Sequence, residues 1–337
     1  MSTDHRPSGG GSTSGGVSLL GWTERLSETQ FAYLLLVPVF LLLGVIAFWP
    51  LLRTFEISLH KDMLTSGSLY GAFVGLDNYV NLLTGTGSTT ALLPRPFLPQ
   101  VTVNGAFPFV HFGNLFTSAL SVTVIFTVVG VTFETIIGFG QALVLDQDFR
   151  GRRWVRVAVI LPWAVPIVIQ GMIFFLLFQP DIGFVVEPLQ NLGLLSSSPL
   201  SNSQDSLFII IVADVWKTSA FMALLILAGL QSVDRNLYDV AEVAGASPWQ
   251  RFRMITLPLV LPTVLVAMLF RTIQSMRVFG IIQTVAGCST VPSLTCLVYQ
   301  SWSQRLYGSS ATVAFVTAAI IAAMVAVYIW KFREEAI

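Results

Sequence analysis

The sequence predicts an all-α membrane protein with six transmembrane helices, and three observations lead there. Hydrophobic residues make up 54% of the chain and charged residues 11%, at a mean hydropathy of +0.75, far from the charged surface of a soluble domain. Six separate stretches reach the roughly 20 predominantly apolar residues that a bilayer span requires. The basic residues between them sort to one side. With the N-terminus placed in the cytoplasm, eleven of the 18 Lys and Arg fall inside, four outside and three within spans, which is the bias that orients membrane proteins.

Residues 1–30 are polar and rich in Gly and Ser, a composition that predicts a disordered cytoplasmic tail. The apolar run that follows comes too late and is too long for a cleaved signal peptide. The membrane region is predicted over 31–332. Its first span is 31–52, with Trp49 as an interfacial anchor at the far end. An external segment, 53–113, is too long for a simple turn and holds one short amphipathic piece at 76–83. The second span, 115–145, exceeds the bilayer thickness, so it tilts or projects. On it Glu134, Gly138 and Ala142 recur at four-residue steps, a small-residue stripe that lets another helix approach, with the carboxylate hydrogen-bonded across the contact. The third span, 157–178, follows Arg150, Arg152, Arg153 and Arg156 and is broken by Pro162 and Pro166. Spans four to six are 207–230, 257–278 and 311–330, and 333–337 is a cytoplasmic C-terminus.

The loop between spans four and five, 231–256, is polar where its surroundings are hydrocarbon. An amphipathic helix over 237–244 stops at Gly245, and Ser247-Pro248 reads as an N-cap followed by a first-turn proline. Two short helices joined at a glycine are predicted, the second leading directly into span five. The spacing of Asp239, Ala241, Gly245, Ile255 and Leu257-Pro258 resembles the EAA loop of permease subunits in binding-protein-dependent ABC importers. Asp239 stands where Glu is usual, Val240 where Ala is usual, and Ala244 where Asp often precedes the glycine. Softer similarities, Arg152-Arg153-Trp154 leading to Leu161-Pro162, 214–218, 270–272 and 276–279, look like the carbohydrate branch of that family.

The resemblance implies a type I importer fold and a cytoplasmic coupling element made by Asp239, Ala241, Gly245, Ala246, Phe252, Ile255, Leu257 and Pro258. It implies as partners two ATPase subunits that bind ATP and Mg, a second permease subunit that is identical or a paralogue, and an extracytoplasmic substrate-binding protein. It also implies a multi-pass protein of a prokaryotic cell membrane.

No enzyme is predicted in the chain itself, and no cofactor bound by it. The sole Lys followed by Ser or Thr is Lys217-Thr218, with Trp216 where a phosphate-binding loop needs glycine. There is no His-Glu-x-x-His and no Gly-x-Ser-x-Gly. His5, His60 and His111 lack metal-ligand spacing. Zero net charge and no basic stripe argue against nucleic acid as a partner.

Ionisable groups inside spans are costly and mark interiors, cavities or partners. Asp214 and Lys217, three apart on one helix face, either neutralise one another or line a solvated pathway. Toward the outer half of span five lie Gln274, Arg277 and Phe279, types that suit a sugar's hydroxyls and ring face. Arg277 snorkelling to the headgroups and a structural Arg271 are the other reading. Cys288 and Cys296 fall in an external turn-like segment where a disulfide persists. Two other functions remain open. One is an ABC permease for a polyol, glycerol phosphate, amino acid or osmolyte. The other is an ion-coupled secondary transporter, for which repeats and broken helices around a carboxylate are the signature.

Overall fold

The structure is a computed structural model that describes residues 27–63, 71–86, 92–104, 107–110 and 112–332. The predicted tail up to residue 26 and the C-terminus 333–337 lie outside the described residues. The chain divides into two compact units, Met1–Thr54 and Phe55–Ile337.

Helix α1 (Glu28–Ser58) begins in the first unit, opened by a capping box in which Ser27 and Gln30 exchange side-chain and backbone hydrogen bonds. Its first three residues, 28–30, fall within the predicted tail. A π-turn at Gly44–Phe48 interrupts it.

The second unit starts with the external segment. Helix α2 (Asp77–Thr84) is the predicted amphipathic piece, and its Asn78 amide donates to the carbonyls of Ser58 and His60 at 2.9 and 2.8 Å. A two-stranded antiparallel hairpin, β1 (Val101–Asn104) and β2 (Phe107–Val110), pairs Val101 with Val110. The sequence reading assigned no strand here. Val-Thr-Val and Phe-Pro-Phe-Val carry the β-branched and aromatic types that favour one.

The membrane helices follow as α3 (Ala119–Asp146), α4 (Arg152–Ala164), α5 (Ile167–Leu177), the short α6 (Val186–Asn191), α7 (Ser203–Gln231), α8 (Asn236–Val243), α9 (Pro248–Ser275), the short α10 (Gly280–Val285), α11 (Leu294–Ser303) and α12 (Tyr307–Phe332). Among the described residues five helices are long and apolar enough to cross a bilayer, six spans if α4 and α5 count as one broken span. That pair bends by 93°. The break lies at Val165-Pro166 alone, because proline forces the residue before it toward extended geometry and Val165 has ψ of 127°. Pro162 stays inside α4, so the predicted double break is a single one.

Packing centres on α3 and α7. The Gly138 position is the reason they come so close: a Cβ there would lie 2.6 Å from Met222 Cβ and 2.9 Å from the Ser219 carbonyl oxygen. Between helices in lipid such contact, rather than exclusion of water, supplies the attraction. Toward α9 the core is Ala142, Leu145, Met222, Ile226, Val260 and Val264. On the opposite side α5 and α10 join through Phe174, Ile281 and Ile282.

Cys288 and Cys296 are bridged across the turn between α10 and α11, and both are buried. Protein unfolded without reductant should therefore take up no alkylating label, and two labels per chain once reduced. Mass spectrometry showing two labels before reduction would remove the bridge.

Candidate functional site

The loop between α7 and α9 is built by three local devices. Helix α8 ends in a glycine motif: Gly245 at φ +80° donates its N–H to the Glu242 carbonyl and Ala246 donates to that of Ala241, both at 2.9 Å, which closes the orphan carbonyls of the last turn. Ser247 then caps α9, its hydroxyl accepting from the Gln250 N–H while the Gln250 side chain accepts from the Ser247 N–H at 2.7 Å. Pro248 occupies the first helical position. As expected, the second helix leads directly into the span; it runs as a single helix of 28 residues with a π-turn at Phe252–Thr256.

Both arms of the loop are tied to the body. Arg251 pairs with Glu242 across the glycine at 2.6 Å, Tyr238 shares a hydrogen bond with Thr256 at 3.1 Å, and Arg235 pairs with Asp146 at the end of α3 at 2.7 Å. The Asp146 hydrogen bond raises the Arg235 guanidinium above its ordinary pKa, against the opposing effect of burial. Phe252 meets Phe139 edge-on at 5.7 Å and stacks on Trp249 at 5.4 Å. Ile255 packs against the α3–α7–α9 core.

Large apolar side chains of the loop stay exposed among charged and polar ones. Val243 is 91% and Met254 75% exposed, with Val240 and Trp249 close behind. Asp239 is exposed and forms no ion pair among the described residues. Ala241 and Ala246 are half-buried, whereas Leu257 and Pro258 are exposed. A cleft lined by Leu143, Tyr238, Trp249 and Thr256 opens beside the loop.

Deeper in the membrane region lies a group of charges that the sequence reading did not assemble. Arg271 on α9 donates from Nε and Nη2 to the two oxygens of Glu134 on α3, at 2.6 and 2.8 Å. Its Nη2 also reaches Asp214 on α7 at 2.9 Å, and its Nη1 donates to Gln274 Oε1 at 2.8 Å. Glu134 is fully buried and the Arg271 side chain 6% exposed. One guanidinium thus ties α3, α7 and α9 together, and α7 and α9 are the helices that enter and leave the loop.

Asp214 and Lys217 do not neutralise each other through a direct ion pair. Asp214 takes Arg271 as its partner, and the Lys217 ammonium donates at 2.6 Å to the Val165 carbonyl, which the α4–α5 break leaves without a helical partner. Of the five residues predicted to line a pathway, Asp214 and Gln274 meet on Arg271. Arg277 opens instead into a groove shared with Ile273, Thr295, Val298 and Thr317. Phe279 packs on Tyr299 at 5.1 Å. The signal that could have found the network was present: Glu134 and Arg271 each sit in a span with no opposite charge three or four residues away, so each needed a partner from another helix.

The family described as binding-protein-dependent transport system inner membrane component matches residues 134–332. The trehalose/maltose transport system permease protein MalF of Thermococcus litoralis is 32% identical over 313 residues, 91% of this chain and 96% of that protein. The sulfoquinovosyl glycerol transport system permease protein SmoG of Agrobacterium fabrum is 33% identical over 322 residues, 93% of this chain and 94% of that protein. A solved bacterial alginate ABC transporter, in complex with an alginate pentasaccharide-bound periplasmic protein, superposes with a TM-score of 0.70 at 20% identity, covering 94% of this chain and 98% of that one. At that identity the likeness is one of fold.

Proposed function

The chain belongs to the binding-protein-dependent transport system inner membrane components, and from that premise we propose that it is the permease subunit of an ABC importer that brings a carbohydrate into the cell. The observation that carries the reading is the loop at Gly245: a broken helix pair that leaves Val240, Val243, Trp249 and Met254 exposed, joined without interruption to a membrane helix. Relatives named for trehalose, maltose and sulfoquinovosyl glycerol support carbohydrate as cargo.

In this reading a substrate-binding protein delivers the solute from outside. A second permease subunit completes the cavity, and two ATPase subunits bind ATP and Mg and hydrolyse the nucleotide. Closure of the ATPase pair pushes on Val240, Val243, Trp249 and Met254, and α9 carries the displacement to Arg271, from which it passes to α3 and α7. The cavity then switches from outward to inward access, a change between two states that each partner biases. Asp214, Lys217, Gln274, Arg277 and Phe279 flank the route.

The test is a reconstituted complex. Uptake should require the ATPase and the binding protein together, and the permease should copurify with the ATPase. Uptake driven by an ion gradient with no ATPase present would replace this reading with a secondary transporter, a class in which the broken α4–α5 pair would have a natural place.

Topology supplies a second check. The reading places both termini, Arg150 to Arg156 and the Gly245 loop in the cytoplasm. A single cysteine at Asp148, whose side chain is 94% exposed, should resist a membrane-impermeant thiol reagent in intact cells of a variant lacking Cys288 and Cys296, while one at the exposed Ser197 should react. The reverse pattern would put the loop on the wrong side for an ATPase.

A further inference from the structure

Arg277 follows the end of α9, is exposed, and has no ion-pair partner among the described residues. It opens into a groove of about 490 Å³ between α9, α11 and α12. Ile273, Val298, Ala318 and their neighbours make that groove apolar, and Arg277 is the one charged residue of its described lining.

The register of the two long helices places the charge at one end. Met276 of α9 shares a buried cluster with Val313 and Val316 of α12, whereas the Leu265 carbonyl accepts a hydrogen bond from the Tyr328 hydroxyl at 2.8 Å. The helices therefore run antiparallel. Arg277 lies at the Ala314 end of the groove, and Val325 marks the other end. From Ala314 to Val325 the helix rises about 16 Å, close to half of a hydrocarbon core roughly 30 Å thick. From Leu257, where the apolar stretch of α9 begins, to Arg277 the rise is about 30 Å. Arg277 thus reaches the headgroups on the side away from the Gly245 loop, and the groove below it is one leaflet deep.

A groove that is apolar along its length and cationic at its headgroup end has the polarity of an amphiphile. A helix about 10 Å across would occupy about 1,300 Å³ over the same length, so a neighbouring helix could set only side chains into it. A lipid chain fits inside and brings its phosphate to the level of Arg277 without burying a charge. Guanidinium and phosphate form charge-assisted hydrogen bonds, often in pairs, and basic pockets between membrane helices take anionic headgroups. A zwitterionic headgroup carries its own ammonium beside the phosphate and gains less from a further cation.

We propose that this groove seats an anionic phospholipid of the leaflet opposite the Gly245 loop, with one acyl chain against Ile273, Val298 and Ala318 and its phosphate held by Arg277. In that position Arg277 flanks the route from the lipid side.

The test uses the complete complex reconstituted into phosphatidylcholine vesicles that contain a trace of a lipid with a diazirine on its acyl chain. The probe is phosphatidylglycerol in one sample and phosphatidylcholine in the other, and labelled peptides are identified by mass spectrometry after irradiation. Labelling at Ile273, Val298 and Ala318 should be about 10-fold stronger with the phosphatidylglycerol probe, the scale of one charge-assisted hydrogen bond. That preference should survive Arg277→Lys and disappear in Arg277→Gln. Ala318→Trp, which fills the groove and leaves Arg277 in place, should abolish labelling at Ile273 and Val298. Equal labelling by the two probes, or an unchanged preference in Arg277→Gln, would overturn the anionic assignment. Labelling by neither probe in the assembled complex would mean that protein covers the groove, and would overturn the lipid seat altogether.

Discussion

Replacing Arg271 by methionine is expected to lower the stability of the membrane domain more than any other single substitution considered. The guanidinium is the bidentate partner of a fully buried carboxylate, Glu134, and holds Asp214 and Gln274 as well. Removing one member of a buried pair strands the other, which costs about 3–5 kcal/mol, more than the pair itself contributes over a well-packed apolar replacement. The apparent Tm of detergent-solubilised protein should fall by roughly 10 °C. Glu134→Gln should cost less, about 1–3 kcal/mol, since the amide still accepts one bond. The decisive comparison is the double variant Arg271→Met with Glu134→Leu, which removes the fully buried orphan charge, still leaves Asp214 without its partner, and should recover part of the loss. If the double variant were as unstable as the sum of the two single ones, the two groups would be acting independently and the cross-helix tie would be absent. Transport should stay impaired even where stability returns, because α7 and α9 would no longer be held by one group.

Much of this architecture was legible in the chain because its causes are local. Spans follow from apolar length, the loop from Gly245 and the Ser247-Pro248 cap, and each of those devices acts within a few residues. The paired strands Val101–Asn104 and Phe107–Val110 are hard to read from sequence, because alternating types inside a long external segment give a weak signal beside apolar runs of about 20 residues. The true break of the third span depended on weighing two prolines: Pro162 fits within α4, and Pro166 acts through the extended backbone of Val165. The charge network was the least legible part. Its members lie 57 and 137 positions apart, and sequence spacing pairs Asp214 with Lys217, three residues away, before it pairs it with Arg271. A helix face brings neighbours together only when no stronger partner arrives from another helix, and here Arg271 does. Lys217 is then released to the carbonyl that Pro166 had orphaned, so one proline and one distant arginine decide where both charges go.

Gly245→Val is expected to abolish transport while leaving the membrane helices in place. The residue sits at φ +80°, a conformation that side chains rarely adopt and β-branched ones resist most. A Cβ at that point would meet nothing within 4 Å, so the cost within this chain is conformational, about 1–3 kcal/mol, and does not come from a clash in the core. The backbone relieves it by leaving the left-handed region, which breaks the Gly245 and Ala246 hydrogen bonds and turns α8 away from α9. The exposed Val240 and Val243 of α8 are then displaced relative to Trp249 and Met254 of α9. Gly245→Asn is the control, because asparagine tolerates this geometry, and it should retain much of the uptake. Asp239→Ala removes only an exposed charge, typically about 0–1 kcal/mol, and should slow uptake a few-fold at most. In the reconstituted complex the valine variant should either lose the ATPase on purification or hydrolyse ATP without uptake. Normal uptake by Gly245→Val with the ATPase still bound would mean that the loop passes no motion, and the role assigned to it would have to move elsewhere on the cytoplasmic face.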